Sequence, residues 1–402
     1  MKYLSFFIPV LIACNTYAKV DSPCDLENYF RKTETYKSGM LDNEEKLVEL
    51  ERERLTLLPN ISVAIGQQST NDSSFKGISD SSVSLSLSQS VYNGGRYSKF
   101  KNKIKKDIEY NGLMIHDKRN RYLIDLYRSV IEYKYKFDLH QLYSSQLKLQ
   151  EKQLEATKAR LASGDIAKIE YDIVGLRKEE LQNEVDIIKN EIEQTELDIS
   201  TRFNIPVTMI KEITGKKILS CKGKGSGQIL NESRELLKQN ENANYQLNMT
   251  SMQPSVSMSL HMRPPSGGTL NELTTKKTEF AAGISVSVPL SAYFSANNYK
   301  KDYSISVSRI DDTYDEKQKL YIREKDNIIN KIKNLESNID LTKEKIELKR
   351  KEVEYILSRF RDKKDTIISY YRQLDEFELE KIKLKKDERE REYFKAYIAI
   401  LD

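Results

Sequence analysis

Chemistry in this chain would have to come from three histidines, three cysteines and a dense mixture of carboxylates and amines. His116, His140 and His261 stand far apart in helical or strand contexts and form no metal-ligand spacing. No glycine-rich phosphate loop and no elbow-type Ser motif occurs. The Glu and Asp residues lie among Lys and Arg at i,i+4 spacing, which reads as solvated helix rather than paired catalytic acids. The sequence therefore predicts no enzyme, no cofactor and no metal. One local charge concentration stands out, where Arg361, Lys363, Lys364 and Arg372 face only Asp362 and Asp365. Such a cluster can simply complement a helix end. Repeated around a narrow opening, it would reject cations and attract anions.

The elements around these residues are set by composition. Charged residues make up 32%, Trp is absent, and Gly and Pro number 15 and 8, which suits long solvated helices better than a thick core. Net charge is +5, from 66 basic and 61 acidic residues that are interspersed, so no one-sided basic stripe for nucleic acid exists. The nearest candidate, Lys99 to Lys106, runs straight into Asp107 and Glu109. At the N-terminus, Lys2 precedes an apolar run from Tyr3 to Ala13, too short to span a bilayer but suited to a secretory signal over residues 1–18. Two processing routes are open: ordinary cleavage before Lys19, or a lipoprotein box ending at Cys14, which would become lipidated. Either route leads out of the cytoplasm. There Cys24 and Cys221 are candidates for a disulfide.

The order of elements repeats, over residues 19–222 and 223–402, with the halves meeting at the linker-like Gly223 to Gly227. Each half begins with a lead-in helix, Asp25 to Thr56 or Gln228 to Met249. Two strands follow, about 59–68 and 82–92 in the first half, about 254–262 and 279–290 in the second. Aliphatic residues such as Val83, Leu85, Leu87 and Val91 alternate with Ser, Gly or Ala, so each strand has one apolar and one small polar face. Their lengths fit the ~9–11 residues of a tilted membrane strand. Polar loops, Ser69 to Asp80 and Arg263 to Lys277, join them. Four strands cannot close a channel, since the smallest membrane barrels need ~8, so the pattern requires an oligomer. Long helices follow at about 96–163 and 298–362, each reaching about 100 Å, and then shorter ones at about 168–204 and 366–401. Ile328, Ile332, Leu335, Ile339, Ile346, Val353, Ile356 and Phe360 follow alternating steps of four and three, with Thr342 and Lys349 filling the gaps, and so do Leu181, Val185, Ile188 and Ile192. That spacing calls for partner helices along the whole length.

These residues resemble the TolC family of outer-membrane efflux proteins over nearly the whole mature chain. LLPNISVAIG, from Leu57, is similar to the family's first strand, and SVSLSLSQSVYNGGR, from Ser82, to its second strand and turn. Asn93, Gly94 and Gly95 there give freedom at positive φ where strand becomes helix. Arg160, Leu161 and Gly164, followed by Glu170, resemble the family's break between long and short helix. A shift of 199 residues maps this break onto Arg359 to Lys364, with Lys363 in the glycine position and Ser369 opposite Glu170. The family's tunnel-tip acids are replaced here by Ser369 and Arg372. The resemblance implies a homotrimer, a twelve-stranded barrel in outer-membrane lipid continued by an α-helical periplasmic tunnel, with four strands and long antiparallel coiled-coil helices per chain. It implies a passive channel for a tripartite efflux or type I secretion system, with a periplasmic adaptor (membrane fusion) protein and an inner-membrane transporter as partners. Glu170, Arg361, Lys363, Lys364, Asp365 and Arg372 are then the candidate periplasmic gate. A coiled-coil scaffold or porin-like protein without a transporter is the alternative.

Overall fold

The computed structural model describes residues 24–67, 81–264, 278–362, 364 and 367–402. Two helices open the chain, α1 (Asp25–Phe30) and α2 (Glu34–Leu55). The break between them divides the single lead-in helix expected from the sequence. It falls at Thr33, whose Oγ1 donates to Phe30 O at 2.6 Å and accepts from Tyr36 N at 3.4 Å, closing one helix and capping the next. Strands β1 (Asn60–Gly66) and β2 (Ser82–Asn93) lead into α3 (Arg96–Ala162) and α4 (Lys168–Phe203). The short helices α5 (Val207–Ile210) and α6 (Gly215–Leu219) come next, then α7 (Ser226–Asn248), β3 (Ser255–Arg263), β4 (Glu279–Ser287), α8 (Ala296–Arg361) and α9 (Ile367–Leu401). β4 stops short of residue 290 because Pro289 has no N–H for a ladder, and Leu290–Ser295 winds into a 3-10 turn instead. Arg263 belongs to β3 rather than to a loop, and ion-pairs across the ladder with Glu279 at 3.1 Å. The segments 68–80 and 265–277, read as loops, lie outside the described residues, as do the signal segment and Cys14.

The four strands form one antiparallel sheet in the order β1-β2-β3-β4. Packing gives the helices a matching order. α2 and α4 pack on one flank of α3, α7 and α9 fill the space between α3 and α8, and α8 ends the row. At 1.5 Å per residue, the 67 residues of α3 and 66 of α8 reach about 100 Å, so the helical part is a long wall, one helix deep except at mid-length. Such a wall has a core only along its seams. The heptad residues Ile328, Ile339 and Thr342 are buried against α9, and Leu181 and Ile199 of α4 against α3.

The largest buried cluster sits at mid-length, where α1, α5 and α6 cover α3 and the end of α9. Ile205, Ile210, Ile213 and Ile218 are fully buried there with Leu26, Phe30, Leu126, Val130 and Tyr133. Burying each such side chain stabilises the fold by ~1.5–3 kcal/mol, making this junction the fixed point of an otherwise thin molecule.

Candidate channel wall and closing tip

The sheet has two chemically distinct faces, and the ladder registers align them. Ile61, Val63 and Ile65 stand opposite Leu87, Leu85 and Val83, which in turn reach Leu260 and Met262 on β3, then Ala282 and Phe280 on β4. The other face is a carpet of small polar groups. Ser62 Oγ meets Ser86 Oγ at 2.6 Å, and Ser257 Oγ meets Ser285 Oγ at 2.7 Å. One expectation needs correcting here. A bulge between Ser90 and Tyr92 leaves Val91 unpaired, and Tyr92 takes the place opposite Val256. Among the described residues no helix covers the aliphatic face: Ile61 is 65% exposed and Ile284 75%. Both edge strands, β1 and β4, keep one unpaired row of backbone groups among the described residues.

The turn out of the sheet is built on Gly94 and Gly95, with φ of 68° and 72°. A Cβ on Gly94 would lie 2.6 Å from Gln253 Cβ, so close approach as well as φ requires glycine there. Asn93 pairs with Ser255, and Arg96 at the start of α3 meets Glu53 of α2 at 2.7 Å, tying the lead-in helix to the turn.

At mid-length the structure joins Cys24 to Cys221, with Cα atoms 4.9 Å apart. The bond links the start of α1 to the end of α6. Sequence reasoning missed Arg119, a buried arginine on α3 that serves the same junction. Its guanidinium pairs with Glu27 and donates to Cys221 O at 2.8 Å. Beside it Asn120 donates to Lys224 O at 2.8 Å. The Gly223 to Gly227 stretch is therefore clamped rather than loose, and α7 begins inside it at Ser226.

At the far end from the sheet, Gly164 adopts φ 78° and closes α3. Asp165 N donates to Arg160 O at 2.9 Å and Gly164 N to Leu161 O at 3.1 Å, the paired bonds of a Schellman ending. In the second half Lys364 N donates to Arg359 O at 2.8 Å, the same closing bond 199 residues on. Lys363 and Asp365 lie outside the described residues. Arg160, Glu170, Arg361, Lys364 and Arg372 are all exposed, and within the chain Glu170 and Arg372 form no ion pair among the described residues. The described residues singled out for the tip thus lie at the two helix breaks at one end of the wall.

Two turns beyond the start of α9 lies a carboxylate that sequence reasoning passed over. Burial pushes the Asp375 carboxyl up to about 6, against the opposing pull of Arg177 on α4 and a hydrogen bond with the buried Gln146 of α3. Acids and bases alternate so densely along α9 that one half-buried carboxylate leaves no local mark in the sequence.

No protein-family model matches the chain, and no curated protein matches it in sequence. Solved structures do match over nearly the whole length. The outer membrane protein VceC from Vibrio cholerae has a TM-score of 0.64 at 9% identity, covering 94% of this chain and 96% of that one. The Campylobacter jejuni CmeC outer membrane channel gives 0.65 at 10% identity, over 94% and 83%. The open state of the Neisseria gonorrhoeae MtrE outer membrane channel gives 0.64 at 12%, over 94% and 86%. This chain, with its four-stranded sheet carried on a wall of long helices, has the TolC-like outer-membrane channel fold.

Proposed function

We propose that the chain is the outer-membrane subunit of a passive exit duct, serving a tripartite efflux or type I secretion system. The observation that carries this reading is the uncovered sheet. A face of Ile, Val, Leu, Met and Phe exposed to solvent has no partner among the described residues, whereas hydrocarbon would satisfy it, and the serine face suits a wet lumen. The open edges cannot persist in lipid, so β4 of one copy pairs with β1 of the next. Three copies then close a barrel of twelve strands over a tunnel of helices. The two repeats, 19–222 and 223–402, each supply half of one copy's share, after a signal segment at 1–18 is removed. The tunnel extends into the periplasm, where its tip meets an adaptor (membrane fusion) protein and an inner-membrane transporter. The chain does no chemistry of its own.

Purified protein reconstituted into planar bilayers tests this directly. A duct gives reproducible single-channel steps. A periplasmic coiled-coil scaffold gives none, and that result would remove the proposal. A porin-like protein without a transporter would conduct but would bring down no adaptor or transporter after crosslinking in cells.

A further inference from the structure

A cleft of about 870 Å³ opens between α3, α8 and the last turns of α9. It lies where α9 ends near the start of α7. On α3, Arg128 borders the cleft while Val130, two residues on, is buried under the disulfide-linked layer. Two residues are about 200° of helix, so the cleft faces away from that layer, on the other side of the wall.

Its floor is aromatic: the ring centres of Tyr393 and Phe394 lie 5.0 Å apart, and those of Tyr393 and Tyr397 5.9 Å apart. Tyr135 adds a ring from α3. The rim is cationic. Lys331 Nζ stands 5.2 Å from the Phe394 ring and Lys386 Nζ 4.6 Å from the Tyr135 ring, positions that keep ammonium groups over π-faces. Arg128 and Arg323 join them, and none of these four makes an ion pair among the described residues. Three carboxylates share the lining with five cations. Glu132 faces Lys136 at 3.7 Å, while Glu324, which accepts from the neutral Tyr397 hydroxyl, and Glu390 keep their charge, so the cations stay in excess. The volume lies within the ~300–1,000 Å³ of small-molecule sites, which combine aromatic walls with a few placed charges.

We propose that this cleft binds planar aromatic anions, their rings on the tyrosine and phenylalanine floor and their acid group among Arg128, Arg323, Lys331 and Lys386. That it opens on the tunnel interior, and so holds cargo in transit, rests on the duct reading; the binding itself does not. A stopping place for aromatic acids would give the duct a preference among the molecules it conducts.

The test uses the full-length protein in lipid nanodiscs and equilibrium dialysis with two probes of matching ring systems, anilinonaphthalene sulfonate and the uncharged phenylnaphthylamine. The expected result is saturable binding of the sulfonate at one per chain, with the neutral probe held much more weakly. Arg128→Glu with Arg323→Glu should weaken sulfonate binding by about tenfold, equivalent to roughly 1.4 kcal/mol. Tyr135→Ser should weaken both probes. Reversing Lys300 and Lys301, exposed cations outside the cleft, should change neither. Equal binding of both probes, no effect of the Arg reversals, or an equal effect of the Lys300 and Lys301 reversals would overturn the proposal. Conductance in bilayers reports separately on the duct, so failure of either reading leaves the other standing.

Discussion

Gly164 and Lys363 sit 199 residues apart at matching breaks, and only the first announces itself. A glycine after a helical run signals a left-handed ending, and Gly164 does have φ 78°. The second break closes with the same bond, Lys364 N to Arg359 O, without glycine to mark it. Residue type thus made one tip legible and left the other to be inferred from the repeat. The charges there are the place to test gating. We infer that, in the trimer proposed above, Arg372 faces the lumen and pairs with Glu170 of a neighbouring helix. Arg372→Glu should then raise conductance and cation preference in planar bilayers, and Glu170→Lys alone should loosen the tip, while the double swap restores closure. Unchanged conductance and selectivity in Arg372→Glu would reduce the cluster to a solvated helix end. Asp375 offers a second test at the same scale. Its carboxyl titrates in the fold at about 6, above the ~3.9 of a free aspartate. The fold therefore binds this proton more tightly than the unfolded chain does. That contribution is fully present below about pH 4 and is lost as pH rises through about 6. Asp375→Asn, which cannot ionise, should unfold at a higher temperature than the parent at pH 7.5, and the difference should vanish near pH 4. A difference that persists unchanged at pH 4 would mean that ionisation is not the cause.

Among the elements, periodicity was the readable signal, and the boundaries fall within one or two residues except at β4, which Pro289 ends three residues early. The long helix expected at 96–163 ends at Ala162, and the strand expected at 82–92 ends at Asn93. What period alone could not show were elements shorter than one repeat of the pattern. α5 and α6 have four and five residues, too few for a face to recur, although their isoleucines form the core of the junction. The bulge at Val91 was hidden for a related reason: period two continues through the sequence, and only pairing with β3 reveals that two residues oppose one. The faces of the strands make a direct prediction. With the aliphatic face in lipid, Leu85→Arg or Ile284→Arg near mid-membrane should cost about 2–4 kcal/mol, measured as a fall in assembled, heat-resistant oligomer. Ser86→Arg, on the opposite face, should assemble nearly as well as the parent. If Ser86→Arg is the more damaging change, the sheet is inside out.

For the molecule as a whole, the deciding feature is that both layers end in the same way. The sheet stops at β1 and β4, and the wall stops at α2 and α4 on one flank and α8 on the other. A head-to-tail neighbour would continue both at once, and a closed ring removes every edge. The surfaces left for such a neighbour carry their own heptads. On α8, Leu341, Leu348 and Tyr355 follow at steps of seven, and Leu341 and Leu348 are 56% and 66% exposed, whereas Ile339 on the inner stripe is 1% exposed. On α4, Ile169, Ile173, Leu176 and Ile187 form an exposed stripe of the same kind. Counted from the tip, Leu341 is 361 − 341 = 20 residues along α8 and Ile187 is 187 − 168 = 19 along α4, so the two stripes stand at equal height. Within one chain they lie on opposite flanks of the wall, and in the proposed ring a neighbouring copy would bring them together. The sequence did not separate these stripes, because Leu341 lies beside the inner-stripe Thr342 and the two merge into one broad apolar sector. The packing alone shows which part is already covered. Leu341→Glu with Leu348→Glu should therefore leave the single chain folded, with helical circular dichroism unchanged, but remove ~1.5–3 kcal/mol per buried leucine from every seam. Light scattering after size exclusion in detergent should show a trimer for the parent and folded monomers for the variant. Ile339→Glu should instead damage the chain itself, lowering helix content along with assembly. A double variant that keeps the trimer, with its heat resistance unchanged, would mean that α8 does not form the seam and that the copies meet through the sheet alone.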